Sequence, residues 1–231
     1  DAQDEKVDKV LGYKYFDEAS NVKKKYSVSE ITKLTHTVPE DIAKREVNYK
    51  APLFTLASIP VDAAAKGTAY HKVMEHIPFT NEGKTKEEIE KFIEGLKEKN
   101  LLSDDEVKVI DANRIAKFFA SDIGQRAVSA KILYKEKPFI LKTKFEERDV
   151  IVQGTIDCFF EEDGKYVLVD YKSNYVDREN MDEALEHLRR SYEPQLELYR
   201  EALEKIYGKK VKEAVLYLIK INLPILLLVI M

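Results

Sequence analysis

The sequence has 231 residues, enough for one large domain or two small ones at roughly 100–200 residues per domain. Its hydrophobic share of 44% and charged share of 35%, against about 25% charged in average chains, exclude wholesale disorder, and the low counts of Gly (8) and Pro (7) favour long solvent-bathed helices. The 38 basic and 42 acidic residues give a net charge of −4, which does not advertise a nucleic-acid binder but leaves a local basic groove open, and the single Cys158 excludes an intrachain disulfide framework or a cysteine-only zinc or iron–sulfur site.

No basic stretch followed by an apolar run opens the sequence, so a secretory leader is not expected; Asp1 in place of Met reads as a piece cut from a longer chain. Residues 1–25 are polar and charged. Ser27-Val28-Ser29-Glu30 predicts a helix start, with Ser29 as N-cap of a short helix to about His36. Pro39, Pro52 and Pro60 mark an irregular connection over 37–60. An alanine-rich helix follows from Val61 to His76, closed by Pro78. Gly67 inside it costs about 1 kcal/mol relative to Ala, so another group is expected to approach the backbone there. Ile89, Phe92, Ile93 and Leu96 recur at helical spacing over Lys86–Lys99, as do Val107, Ile110, Ile115 and Phe118 over Asp104–Ala120; Asp122–Ala130 adds a short helix.

The character then changes. Leu133–Phe145, Val150–Phe160 and Tyr166–Tyr171 are rich in β-branched and aromatic residues and read as consecutive hairpins, with turns at Glu146–Asp149 and Glu161–Gly164. A helical region runs from Asn180 to Tyr207, interrupted near Pro194 and ended by Gly208; Val211–Ile219 is a last strand. The expected class is α+β. Ile225–Met231 is an apolar tail too short to span a bilayer, which takes about 20 residues, and reads as a buried strand.

Three places carry possible chemistry. Gly83-Lys84-Thr85 resembles the end of a phosphate-binding loop, but Pro78 stands where that motif needs a glycine, so it reads as a turn leading a helix. Asp157 lies late in one strand and Asp170 at the end of the next, with Lys172 at i+2 on the same face as Asp170. Carboxylates on adjacent strands repel each other; a divalent cation would resolve that, and an Asp170–Lys172 surface salt bridge is the plainer alternative. His71 and Glu75 sit at i and i+4 on one helix face, His76 points elsewhere, and Gln195 and Tyr199 lie one turn apart. By themselves, Tyr192 and Tyr199 read as the edge of an amphipathic core. Cys158 faces the opposite side of its strand from Asp157, toward the core.

Taken in order, Gly67-Thr68-x-x-His71-x-x-Met74-Glu75, Glu136-x-Pro138-Phe139, Gly154-x-x-Asp157, Asp170-Tyr171-Lys172-Ser173 and Gln195-x-x-x-Tyr199 resemble the motifs of the RecB-type nucleases of the PD-(D/E)XK superfamily, in the AddA-type branch. The resemblance spans residues 27–219. It implies a restriction-endonuclease-like core, a central mixed sheet of about four strands flanked by helices, behind an N-terminal helical region. The implied division is a polar leading segment over 1–26 and a nuclease domain over 27–221, helical over 27–131 and sheet with core helix over 132–221. An apolar tail over 222–231 has no known role.

By the same resemblance, Asp157, Asp170 and Lys172 are catalytic, and His71, Asp157, Asp170 and the Tyr171 backbone carbonyl hold Mg²⁺, with Mn²⁺ possible. Lys172 orients or deprotonates a water, or steadies charge on phosphorus. Gln195 and Tyr199 pack beside Lys172 and touch the DNA strand; Thr155 and Ser173 contact phosphate; Glu136 and Glu75 stand behind the ligands, Glu75 receiving the other ring N–H of His71. The implied activity is hydrolysis of single-stranded DNA during double-strand-break processing, in a cytoplasmic AddAB-type ATP-dependent helicase–exonuclease. Its partners would be helicase domains of the same chain and an AddB-type subunit, with no membrane, no iron–sulfur cluster and no ATP bound by this stretch. A stand-alone exonuclease of restriction or phage type, and an inactive DNA-binding or scaffolding domain, are the alternatives.

Overall fold

A computed structural model describes residues 25–35, 63–82, 84–174, 176 and 180–229. The expected irregular connection over 37–60, most of the polar leading segment and residues 230–231 lie outside the described residues.

A short strand β1 (Lys25–Ser27) leads directly into helix α1 (Val28–Thr35). The N-cap is Ser27, not Ser29: its backbone N–H donates to Glu30 Oε2 at 2.8 Å and its hydroxyl accepts from the Glu30 amide at 3.2 Å. This is a capping box, and only Ser27 has a glutamate three residues on. Helix α2 (Ala63–His76) and α3 (Lys86–Glu98) match expectation. Thr85 caps α3 by a second capping box, so Lys84 and Thr85 lead a helix; Gly83 lies outside the described residues. The helix expected over Asp104–Ala120 is two, α4 (Asp104–Val109) and α5 (Ala112–Ala120). Ile110 is extended, and Asp111 starts the second helix by accepting from the Asn113 amide at 3.0 Å. Helix α6 (Asp122–Ser129) completes the helical part.

Strands β2 (Leu133–Phe145), β3 (Arg148–Glu162) and β4 (Lys165–Lys172) follow, β2 with the expected bounds and β3 and β4 longer than expected. Helix α7 (Met181–Tyr207) is continuous through Pro194, contrary to the predicted interruption. Burial on both sides of the proline, at Leu188 before it and Leu196 and Tyr199 after it, keeps the helix continuous against a ring cost of about 3 kcal/mol. Gly208 ends it with φ 71°. Strand β5 (Val211–Leu218) runs parallel to β4, the pairing that requires a crossover helix such as α7. The apolar tail forms β6 (Leu223–Val229), antiparallel to β5 at the sheet edge, with Ile225 buried.

The sheet therefore has six strands rather than about four, in the order β1-β3-β4-β5-β6 with β2 also on β3. Helices α2 to α6 bury one side of it through Tyr70, Val73, Phe118, Cys158, Val169 and Tyr217. Helices α1 and α7 bury the other through Val28, Phe139, Val152, Leu168, Leu196 and Leu203. On the same edge of β3, β1 pairs with residues 151–153 and β4 with 158–162. Among the described residues no strand pairs with the edge of β3 between these two partners, and the site lies there.

Candidate metal centre

Asp157 stands in that gap. The ladder between β3 and β4 stops at Cys158 and Val169, and the carboxylate replaces the next rung: Oδ2 accepts from the Tyr171 backbone N–H at 2.8 Å. Its strand reaches the gap past Gly154. A Cβ at that position would meet Val28 Cγ2 at 2.7 Å and the Phe139 ring at 3.0 Å, so the glycine lets α1 lie against the sheet. Cys158 packs in the core on the α2–α6 side of the sheet, and burial pushes its thiol up to about 12.

Glu136 faces Asp157 from β2. The register pairs Lys135 with Cys158 and Lys137 with Ile156, so Glu136 lies across from Asp157, yet no ladder pair forms there. Its φ is 43°, a left-handed conformation that costs a non-glycine residue about 1–3 kcal/mol. Between Tyr134 and Phe139, both packed toward α7, the strand takes five residue steps, an odd number, so the pleat changes phase between them, at the left-handed Glu136. Glu136 thus stands beside His71 and Asp157 rather than behind them. The ligand atoms of His71, Glu136 and Asp157 lie within 4.8 Å of one another.

His71 projects from α2 over the gap. Its Nε2 lies 3.1 Å from the Tyr171 carbonyl oxygen, and its Nδ1 is 3.4 Å from both Glu136 Oε1 and Asp157 Oδ1. Burial alone would depress this imidazole, but hydrogen bonding to Asp157 and then Glu136 outweighs it and lifts the group to about 10. Glu75 is not its partner. That carboxylate is exposed and meets His76 Nδ1 at 3.8 Å, one residue along rather than one turn back. Gly67, one turn before His71, faces Ser173: a Cβ there would stand 3.0 Å from the Ser173 hydroxyl. The expected close approach to Gly67 is therefore made by a side chain of the Asp170–Ser173 motif itself.

Asp170, 1% exposed, is held on the α7 side. Gln195 Nε2 donates to its Oδ1 at 3.0 Å and to the Tyr199 hydroxyl at 2.9 Å. Lys172 Nζ meets its Oδ2 at 2.6 Å. The pair is buried, not the surface salt bridge of the plainer alternative. Burial raises the Asp170 carboxyl to about 6, with the Lys172 ammonium opposing and the Asp157 charge adding to it. Burial would lower Lys172, but Asp170 and then Asp157 hold it well above its ordinary value. At contact distance, we read the pair as ammonium and carboxylate. Burial likewise raises the Tyr199 hydroxyl. Tyr192 is more than the core edge it was expected to be: its ring lies 4.7 Å from Lys172 Nζ and its hydroxyl donates to Asn174 at 3.1 Å. Its position one turn before Gln195 on α7 is the signal that could have found it. Thr155 is exposed, two residues before Asp157.

The donor set fits a cation. Glu136 Oε1 and Asp170 Oδ2 are buried carboxylate oxygens without hydrogen-bond partners, apart from the ion contacts with His71 and Lys172. Buried oxygens left so cost free energy unless a charge completes them. The two carboxylates and the imidazole that converge, with the Tyr171 carbonyl 3.1 Å from the imidazole, suit a divalent ion, whereas Asp170 stands outside that group with its oxygens engaged by Gln195 and Lys172.

A sheet that parts beside an acidic strand end, with a lysine two residues beyond the second aspartate and a helix-borne histidine across the gap, is the arrangement of a restriction-endonuclease-like nuclease fold. The model of the PD-(D/E)XK nuclease superfamily matches residues 43–225, and the chain belongs to that superfamily, whose nucleases use divalent metals. It is similar to the AddA subunit of the ATP-dependent helicase/nuclease from Bacillus pumilus, 36% identical over 96% of this chain and 20% of the relative. The same-named proteins of Alkaliphilus oremlandii (35%, over 94% and 19%) and Thermoanaerobacter sp. (35%, over 92% and 18%) are equally similar. The chain thus spans about a fifth of the length of these curated relatives.

Proposed function

We propose that this chain is the metal-dependent DNA nuclease part of an AddAB-type helicase–nuclease, and that it hydrolyses single-stranded DNA during double-strand-break processing. The observation that carries the reading is the convergence of His71, Glu136 and Asp157 at the gap between β3 and β4, with candidate ligand atoms within 4.8 Å of one another. His71, Glu136, Asp157 and Asp170, with the Tyr171 carbonyl, would hold Mg²⁺ or Mn²⁺. Such an ion, when bound, lowers the pKa of a coordinated water and neutralises charge on the scissile phosphate. Lys172 stays protonated between two carboxylates, so it donates hydrogen bonds to water or a phosphate oxygen and is not the base in that state. Gln195 fixes the orientation of Asp170, and Tyr199 fixes Gln195. Ser173, packed against Gly67, would meet the substrate backbone.

The partners that follow are helicase domains of a longer parent chain and a second, AddB-type subunit, in the cytoplasm. The names of the relatives and the fraction of them that this chain matches support that placement. Among the described residues no helix is long and apolar enough to cross a membrane.

The test is cleavage of 5′-labelled single-stranded DNA by the purified chain. Cutting is expected with Mg²⁺ or Mn²⁺ and none with EDTA. Metal-independent cutting, or no cutting with any divalent ion at high enzyme concentration, overturns the reading.

A further inference from the structure

Among the described residues the helical layer covers its side of the sheet only as far as the metal cluster. Lys135, which donates to the Ile77 carbonyl at 2.7 Å, and Cys158 are the last residues of β2 and β3 that it meets before the gap. Farther out, Phe139, Leu141, Val150 and Val152 are buried toward α1 and α7, and the alternate side chains face outward. Those side chains form rows. Pro138 stands across from Thr155, Ile140 from Gln153, Lys142 from Ile151 and Lys144 from Asp149. Strand β1 extends two of the rows, with Ser27 beside Gln153 and Lys25 beside Ile151. The first row begins two residues from Glu136 and Asp157, and each row adds about 7 Å. The Lys25–Ile151–Lys142 row therefore lies about 20 Å from the cluster.

The chemistry of this face is unusual for an exposed sheet. Ile140 is 68% exposed and Ile151 41%, and Pro138 is exposed beside them. Around them stand Lys25, Lys142 and Lys144, against one carboxylate, Asp149. Lys142 and Asp149 pair at 3.0 Å, but both are exposed, and such pairs are worth little against water or a competing anion. In a chain with a net charge of −4, this is a cationic surface with apolar side chains set between the charges. Glu146 and Glu147 at the hairpin turn end it abruptly.

We propose that this open face of the β1–β3–β2 ladder is the track on which single-stranded DNA lies as it reaches the metal centre. The lysines would neutralise successive phosphates, and Pro138, Ile140 and Ile151 would support the unstacked bases, a combination that holds a strand without reading its sequence. Continuity with the cluster and the charge of the face point to this occupant, and the acidic turn sets its outer limit. The inference rests on the nuclease reading, but its test can fail separately.

The experiment uses the full chain and the triple variant Lys25→Ala/Lys142→Ala/Lys144→Ala, three exposed positions outside the metal centre. Binding of fluorescent oligo(dT) is measured by anisotropy in EDTA over a salt series. Cleavage is measured in Mn²⁺ on the oligonucleotide and on thymidine 5′-(p-nitrophenyl phosphate), a diester too small to reach the track. The variant should bind the oligonucleotide at least roughly 10-fold more weakly, with the slope of log K against log salt reduced by about 2 for three lost phosphate contacts. KM for the oligonucleotide should rise while turnover of the small diester stays within about twofold, since no phosphate contact near the metal is lost. Unchanged affinity and slope overturn the track, and so would an equal loss on both substrates, which would place the lysines' effect at the metal centre. If the parent chain cuts neither substrate but the variant still loses affinity and slope, the nuclease reading fails and the track stands.

Discussion

The backbone N–H of Tyr171 donates to Oδ2 of Asp157 at 2.8 Å. This one bond stands where the next rung of the β3–β4 ladder would be, so Asp157 both closes the gap in the sheet and turns its other oxygen toward His71. The carbonyl of Tyr171 meets the same histidine on its second nitrogen. A ligand, its neighbour strand and the helix above are thus fixed through a single residue's backbone.

Lys172 and Asp170 should fail differently. Lys172→Ala is expected to lower cleavage at least about 100-fold, the typical loss for a donor aimed at developing charge, while leaving Mn²⁺ affinity within a few-fold. Asp170→Ala should lose both. Calorimetric titration of Mn²⁺ into each variant checks this, and equal loss of metal affinity would show that Lys172 has been misassigned.

Glu136→Ala separates ligation from strain. Metal affinity should fall at least about 10-fold, because one of the facing carboxylates is gone. Thermal stability without metal should fall slightly near neutral pH, since His71 loses one of the two carboxylates that hold it protonated. If calorimetry gives the parent's affinity, Glu136 is no ligand.

The two motif glycines should respond with opposite signs. Gly154→Ala forces a methyl against Val28 and the Phe139 ring and should destabilise by about 1–3 kcal/mol. Gly67→Ala meets only the end of a rotatable serine side chain, so the helix propensity gain of up to about 1 kcal/mol should leave stability unchanged or higher. Urea denaturation of the two variants decides this; destabilisation of both would mean that Ser173 cannot yield.

Acid stability should depend on Glu162. The Arg126 guanidinium pairs with Glu162 and with Glu213. It holds the Glu162 carboxyl at about 2, against an ordinary value of 4.5. A folded value below the unfolded one gives stability that is complete above about pH 4.5 and lost as the pH falls toward about 2. Glu162→Gln should therefore cost on the order of 1–2 kcal/mol at pH 7, after allowance for solvent screening, and nothing near pH 2. Urea midpoints for parent and variant should converge over that window; parallel pH curves would refute it.

Much of the frame was legible because its causes are local. The strand over Leu133–Phe145 has the bounds expected of its β-branched and aromatic run, and Gly208 stops α7 where a left-handed residue is needed. The errors have local and non-local origins. Ser27 and Asp111 were readable, as a cap with its glutamate three residues on and as an aspartate two residues before a helical amide, and a continuous hydrophobic period obscured the second. Pro194 was not readable, because packing at Leu188, Leu196 and Tyr199 outweighs a penalty that the sequence shows alone.

For the site, the sequence by itself determined the Asp170–Lys172 pair, since alternation along a strand puts i and i+2 on one face wherever that strand lies. It also determined that α2 presents His71. Only the tertiary structure decided which carboxylate His71 would face. Glu75 is four residues away on the same helix, but side chains at that spacing share a stripe without converging on a point. Glu136 is far away in sequence and comes within 3.4 Å because the β2–β3 register sets it across from Asp157 and a left-handed φ turns it into the gap. Register is a property of two strands together, and a pleat that changes phase has no mark in either strand alone.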